Sequence, residues 1–208
     1  MVRVLAFMVA FGLFFSQTAF SGTAVSVIQV KVNIVQAYNQ FKNSYNSTLS
    51  EIKKEIGTID RMAQSSPRQQ AVNRYMSLEE KLYKRKVNIS KKYERFIQTV
   101  SRYLNQKKAD NELKKMIEEE LSENHRNLES VFDQLIRYAN LKQELLELVE
   151  KGKIENGEII FTDQKDVDRY NSLVREIDAT IGKIEQYSKE FSRYNQKILN
   201  QITRLDNE

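Results

Sequence analysis

Few side chains in this chain are suited to chemistry. Its 208 residues hold one histidine, His125, and no cysteine or tryptophan. A Ser-His-Asp relay would have to use His125, which lies in a strongly charged, helix-patterned stretch with no loop around it. A helical di-iron carboxylate centre needs two Glu-x-x-His units, yet the residue three before His125 is Ser122. Zinc held by Cys or His is excluded on count. Neither a Gly-rich phosphate loop nor a dinucleotide fingerprint occurs. Glu119 and Glu123, at i and i+4, would place two carboxylates on one helix face for acid–base work. The same spacing is the ordinary pattern of a solvated helix face, and it is read so here. His125 is read as a partly exposed structural residue, because a lone His acts as a pH sensor only in a tuned setting. The sequence therefore implies no enzymatic activity, no cofactor and no metal.

Charge carries more information. The chain has a net charge of +5. Residues 31–109 contain 17 Lys/Arg against 6 Asp/Glu, and residues 110–208 contain 15 against 22. The densest basic run is KLYKRKVNISKKYERF, with Lys81, Lys84, Arg85, Lys86, Lys91, Lys92 and Arg95. Acidic counterparts are EEELSE (118–123) and ELLELVE (144–150). Opposite charges beside a helical seam set partner choice and orientation, so the two halves are expected to pack in one bundle. Whatever part of the basic run stays free is a candidate face for a protein partner, an anionic polymer or a lipid surface. Nucleic acid is not expected, since no recognition motif is present. Tyr83 and Tyr93 interleave with these cations, and Tyr93 falls on the apolar seam and reads as core.

The elements that position these groups are helices. Six glycines, one proline and 29% charged residues, rich in Lys, Glu, Leu and Ile, mark long helices. Apolar residues recur at alternating steps of three and four through four segments. The first stripe is Tyr38, Phe41, Tyr45, Leu49, Ile52, Ile56, Ile59 and Ala63. The second runs Tyr75, Leu78, Leu82, skips Arg85 and Lys86, and resumes at Ile89, Tyr93, Phe96, Val100 and Tyr103. A third runs from Leu113 to Val149 with a polar gap at Asn124. The fourth runs from Val167 to Leu205 and includes Phe191, Tyr194 and Ile198. These predict an all-α, elongated antiparallel bundle, or coiled-coil hairpins, with helices over about 25–64, 67–108, 111–151 and 163–206. Ser66 with Pro67, Asp110 or Asn111, and Thr162 or Asp163 are the expected helix starts. Gly152 fits a left-handed position past a helix end.

One stretch breaks the pattern. KGKIENGEIIFTD (151–163) pairs Asn156-Gly157, a two-residue turn signal, with short apolar flanks. It predicts a small β-hairpin-like connector at 153–161. So small a hairpin is marginal in water, so Ile159, Ile160 and Phe161 are expected to pack on the bundle end or to contact a partner.

Register follows from where the chain reverses. A reversal near Lys108 to Asn111 makes facing residues sum to about 219, setting Lys86 against Asp133 and Glu94 against His125. A reversal at Ser65-Ser66 sets Leu49 against Leu82 and Tyr38 against Tyr93.

The first residues, MVRVLAFMVAFGLFFSQTAFSG, read as a secretory signal. Arg3 heads an apolar run from Val4 to Phe15, which is short for a spanning helix. Ala19 and Ser21 occupy the small-residue places before Gly22. The chain thus divides into a signal peptide (1–21) and one helical domain (22–208). Export to a bacterial periplasm or beyond is expected, with an uncleaved membrane anchor as the alternative. The combined expectation is an exported, non-enzymatic bundle acting through protein–protein contacts, as a scaffold, spacer or envelope accessory. A periplasmic holdase-type chaperone and a sensory or ligand-binding bundle are the alternatives, and no motif carries either. N-terminal sequencing of the protein from its host should begin near Gly22; an intact Met1 or Val2 in the membrane fraction would establish the anchor instead.

Overall fold

The computed structural model describes residues 25–64, 68–107, 109–155 and 158–205, the side chains of 25–32 excepted. The proposed leader 1–21, the Ser66-Pro67 start and the Asn156-Gly157 turn lie outside the described residues. Four helices account for most of the rest. They are α1 (Val25–Gln64), α2 (Arg68–Gln106), α3 (Asn111–Val149) and α4 (Gln164–Arg204). At 39 to 41 residues, each is about 60 Å long. None among the described residues is long and apolar enough to cross a membrane.

Two helix starts are set by aspartates. Asp110 accepts from the Glu112 amide (3.0 Å) and Asp163 from the Lys165 amide (2.9 Å). Each supplies an acceptor to an amide that the first turn leaves without an intrahelical partner. Glu112 and Asp166 sit in the first turns of α3 and α4, where the helix dipole favours negative charge.

Consecutive helices pack antiparallel along their length, α1 on α2, α2 on α3 and α3 on α4. The apolar stripes form one continuous core. Tyr75, Tyr93, Tyr103, Phe96 and Phe132 are its largest fully buried members. α1 and α4 are bridged by rings: Phe191 lies 5.8 Å from Phe41 and 5.1 Å from Tyr45.

The α2–α3 reversal falls where expected. Ala109 donates to the Leu104 carbonyl at 3.1 Å, and Asp110 then starts α3. Hydrogen bonds pair Lys114 with Asn105, Glu129 with Ser90, Asp133 with Lys86 and Asn140 with Glu79. Every one of these pairs sums to 219. The α1–α2 register differs from the expectation by one turn. Tyr38 meets Phe96, not Tyr93, and Phe41 meets Tyr93 at 4.9 Å. Tyr75 with Asp60 and Lys92 with Ser44 sum to 135 and 136, against the 131 implied by a reversal at 65–66. The centre of the reversal lies two residues later, and facing partners shift by twice that amount.

Between α3 and α4 stands a hairpin, β1 (Lys153–Glu155) and β2 (Glu158–Ile160), antiparallel with Ile154 opposite Ile159. Gly152 does not occupy the left-handed position expected of it. Its amide donates to the Val149 carbonyl (3.2 Å) and that of Lys151 to Leu148 (3.0 Å), so α3 ends in a tightened right-handed turn. Glycine is needed for space. A Cβ there would meet Ile159 Cγ2 at 2.7 Å and Phe161 Cε1 at 3.1 Å. Gly152→Ala should therefore destabilise by about 1–3 kcal/mol, the usual cost of overpacking, read as a lower thermal midpoint. An unchanged or raised midpoint would show that the hairpin does not press on the α3 end.

Candidate functional site

The basic run of α2 divides into two faces. Four of its seven cations turn toward neighbouring helices. Lys81 pairs with Glu55 of α1. Arg85 reaches Glu51 and Glu55 at 3.4 and 3.3 Å. Lys86 bonds Asp133 of α3 at 2.7 Å, and Lys92 donates to Ser44 of α1 at 2.8 Å. These contacts hold α2 between its two neighbours. Exposed pairs of this kind contribute about 0–1 kcal/mol each, so their effect is on orientation more than stability. The remaining three, Lys84, Lys91 and Arg95, are exposed. Among the described residues Lys84 bonds along its own helix, to Glu80 at 2.6 Å. Beside them Met76, Tyr83 and Val87 are each 53% exposed, at steps of seven and four. α2 thus carries a second, outward apolar ridge flanked by charge.

The hairpin residues also divide. Phe161 packs on the core and lies 5.7 Å from the Tyr170 ring. Ile159 is half-buried against Gly152. Ile160 and Ile154 stay 44% and 48% exposed. Glu155 and Glu158 face each other across the strands, a like-charge pair that weakens the hairpin.

The acid–base candidates are distributed by packing. Glu119 lies 3.9 Å from Lys115 and Glu123 lies 2.9 Å from Arg126, both partners one turn away on the same helix. His125 is half-buried, with its Nε2 enclosed and unpartnered and its ring 5.6 Å from Tyr93. The register brings its level opposite Glu94, as expected, but Glu94 is exposed and Tyr93 takes its place. Among the described residues no group of three or more His, Asp or Glu is placed to hold a metal ion.

Two polar nodes, one inside the bundle and one at its half-buried rim, are absent from the sequence reading. In the first, Asn124 Nδ2 donates to the Tyr93 phenol and to Asn195 Oδ1, both at 2.8 Å. Asn124 stands in the polar gap of the third stripe, where its helical phase places it inward. Asn195 follows Phe191 by four and precedes Ile198 by three, the phase of a core residue. Tyr194 was the expected stripe member only because it is more apolar; it is half-buried, with Arg193 over its ring at 5.3 Å. In the second node Tyr75 donates to Asp60 at 2.7 Å, and Lys142 bridges to Asp60 at 3.0 Å while lying 5.9 Å over the Tyr138 ring. Asp60 follows Ile59 of the first stripe, which is the one signal that could have marked it.

Burial raises the phenol pKa of Tyr38, Tyr45, Tyr75, Tyr93 and Tyr138 above the ordinary value, because a phenolate loses its hydration there. At Tyr75 the Asp60 carboxylate adds to the shift; at Tyr93 the Asn124 donor opposes it. No protein-family model, curated protein or solved structure matches the chain.

A folded-state phenol pKa above the unfolded value means that the folded chain holds protons the unfolded chain releases. That stability is complete below pH about 10, the ordinary tyrosine value, and is lost as pH rises toward the folded values. In an alkaline titration Tyr45, Tyr75, Tyr93 and Tyr138 should ionise only as helicity is lost, in one cooperative step. Smooth ionisation of every tyrosine with helicity intact would contradict the burial described here.

Proposed function

We propose that this protein is an exported, non-enzymatic helical bundle that acts through protein–protein contacts, as a scaffold, spacer or envelope accessory. The observation that carries this reading is where apolar surface remains. Large aromatic side chains are packed against one another inside the bundle, while Ile154 and Ile160 of the hairpin and Met76, Tyr83 and Val87 of α2 face solvent. Among the described residues two depressions are open to solvent, one against the α2–α3 reversal at Leu104 and Asp110, another beside the hairpin at Phe161 and Tyr170. Apolar side chains held on rigid outer elements suit contact with another macromolecule better than capture of a small molecule, which favours enclosed concave sites. Export rests on the leader-like pattern of residues 1–21. A holdase would present rings to an unfolded client; here Tyr38, Phe41, Tyr45, Tyr93, Phe96 and Phe191 contact each other instead.

The hairpin tip is the partner contact in this reading. Ile154 and Ile160 stand on opposite faces of the ribbon, on a support that Gly152 and Phe161 lock to the bundle, so a partner that clasps it would meet a preformed element at low ordering cost. The double variant Ile154→Ser/Ile160→Ser tests it. Both side chains are exposed, so stability should change by no more than about 0.5 kcal/mol for each. Cross-linking in the envelope of the host should retain a partner with the natural protein and lose it with the variant at an unchanged melting temperature. An identical partner set for both would remove the tip from the reading.

A further inference from the structure

The outward ridge of α2 is self-complementary, and we infer that it is a homodimer interface: a second copy of this chain docks on it, α2 against α2, antiparallel about a two-fold axis at the level of residues 85–86. α2 buries one face in the bundle through Tyr75, Leu78, Leu82, Ile89, Tyr93 and Phe96. The opposite face carries Met76, Tyr83 and Val87, each 53% exposed. Their steps of seven and four match the apolar seam of a packed helix. Exposed Glu80, Lys84, Lys91 and Glu94 flank them.

Reversing this face onto itself produces a specific set of neighbours. About the stated axis, Tyr83 faces Val87 of the second copy and Glu80 faces Lys91 of the second copy. Symmetry makes each pair twice, as an isologous interface requires. Met76 falls opposite Glu94 and Arg95, where the methylene stem of the arginine can cover it. The axis also brings the two Lys84 side chains nearest each other. Each is already bound to its own Glu80 at 2.6 Å, which offsets that repulsion. A partner that was merely acidic would leave Glu80 and Glu94 facing like charge. A second copy matches the alternating signs, and the ridge alone dictates the register. The cations turned toward α1 and α3 are already engaged inside the bundle, so they do not disturb this pairing. This inference is independent of the function proposed for the hairpin tip, which lies on other elements.

The contact from Met76 to Arg95 is about 30 Å long and one helix wide, below the size of a standard stable interface. The dimer is therefore weak, with dissociation in the micromolar range or above. Sedimentation velocity of the purified protein across that range should show a monomer–dimer equilibrium. Glu80→Lys and Lys91→Glu should each weaken dimerisation by about tenfold, since each turns two attractive pairs into repulsive ones. The double variant Glu80→Lys/Lys91→Glu restores the attraction between copies but not the Glu80–Lys84 pair, so it should recover part of the loss and dimerise more tightly than Glu80→Lys alone. Val87→Lys should leave a monomer of unchanged helicity. Circular dichroism of every variant separates loss of the interface from loss of the fold. The inference is overturned if the protein stays monomeric throughout, if the double variant is as weak as Glu80→Lys, or if a dimer persists in Val87→Lys. A monomer that binds phosphatidylglycerol vesicles, or an acidic protein partner, through this ridge would overturn it as well.

Discussion

The ring of Tyr93 is the point at which the four helices are fixed to one another. From α2 it meets Phe41 of α1, His125 of α3 and Phe191 of α4, with centroids 4.9 to 5.7 Å away. Its phenol accepts from Asn124 of α3, which also donates to Asn195 of α4. Without these rings the space between α1 and α4 would be a cavity, and residual cavity volume in a core costs stability in proportion to its size. The asparagines have a different effect. A seam of uniform Leu and Ile can slide by one helical turn with little loss of buried area. A slide that parted Asn124 from Tyr93 and Asn195 would leave buried polar groups unsatisfied, at about 1–3 kcal/mol each. Buried polar contacts of this kind are attested as determinants of register in coiled coils, and we ascribe that role to this node.

Charge acts on the same problem from the outside. The basic excess of the first half and the acidic excess of the second read, from sequence, as two matched surfaces. The contacts are more local. Glu51, Glu55 and Asp60, acidic residues of the basic half, engage Lys81, Arg85 and Lys142. Among the described residues only Lys86–Asp133 carries the expected long-range match between the basic run and the acidic half at hydrogen-bond distance. Net charge of a segment therefore does not indicate the pairs: Lys81, Arg85 and Lys92 turn to α1 of their own basic half, because pairing depends on which side of each helix a residue occupies.

That distinction explains which parts of the structure were legible. Helix extents followed from the three–four apolar period and from Asp110 and Asp163, because both signals are local to the chain. The α2–α3 register was legible since the reversal centre lay where polarity peaked and the charges agreed with it. The α1–α2 register was not, because an error of two residues in the reversal centre doubles across the pair. Asn124 reads as a gap and Asn195 is passed over for Tyr194, since a stripe chosen by apolarity selects against both asparagines. At Gly152 the sequence signalled a glycine-dependent turn correctly and gave the wrong cause; only the contact with Ile159 and Phe161 distinguishes lack of space from a left-handed backbone. The candidate interaction faces were half legible for a related reason. A run of seven cations on a helix spans every direction, so some had to be structural, and Lys84, Lys91 and Arg95 emerge as outward only once the neighbours of α2 are in place.

The two outward apolar features have a geometric relation that bears on what such a bundle can do. α2 begins at the end of the bundle where the hairpin sits, as the pairing of Glu79 with Asn140 of α3 requires. The proposed two-fold axis crosses α2 near residues 85–86, close to the middle of its 39 residues. An antiparallel dimer about that axis places the hairpins of the two copies at opposite ends. Each tip remains free, and the assembly presents two identical contacts separated by about the length of a bundle, roughly 60 Å for helices of this size. Two weak contacts on one rigid body bind a partner array with an avidity neither has alone, provided that the spacing of the partners matches. Rigidity is what the interior supplies: the Tyr93 node resists the sliding that would change the span. Under the two proposals together the assembly would hold two partners at a fixed separation, set by the packed interior that lies directly behind the α2 ridge.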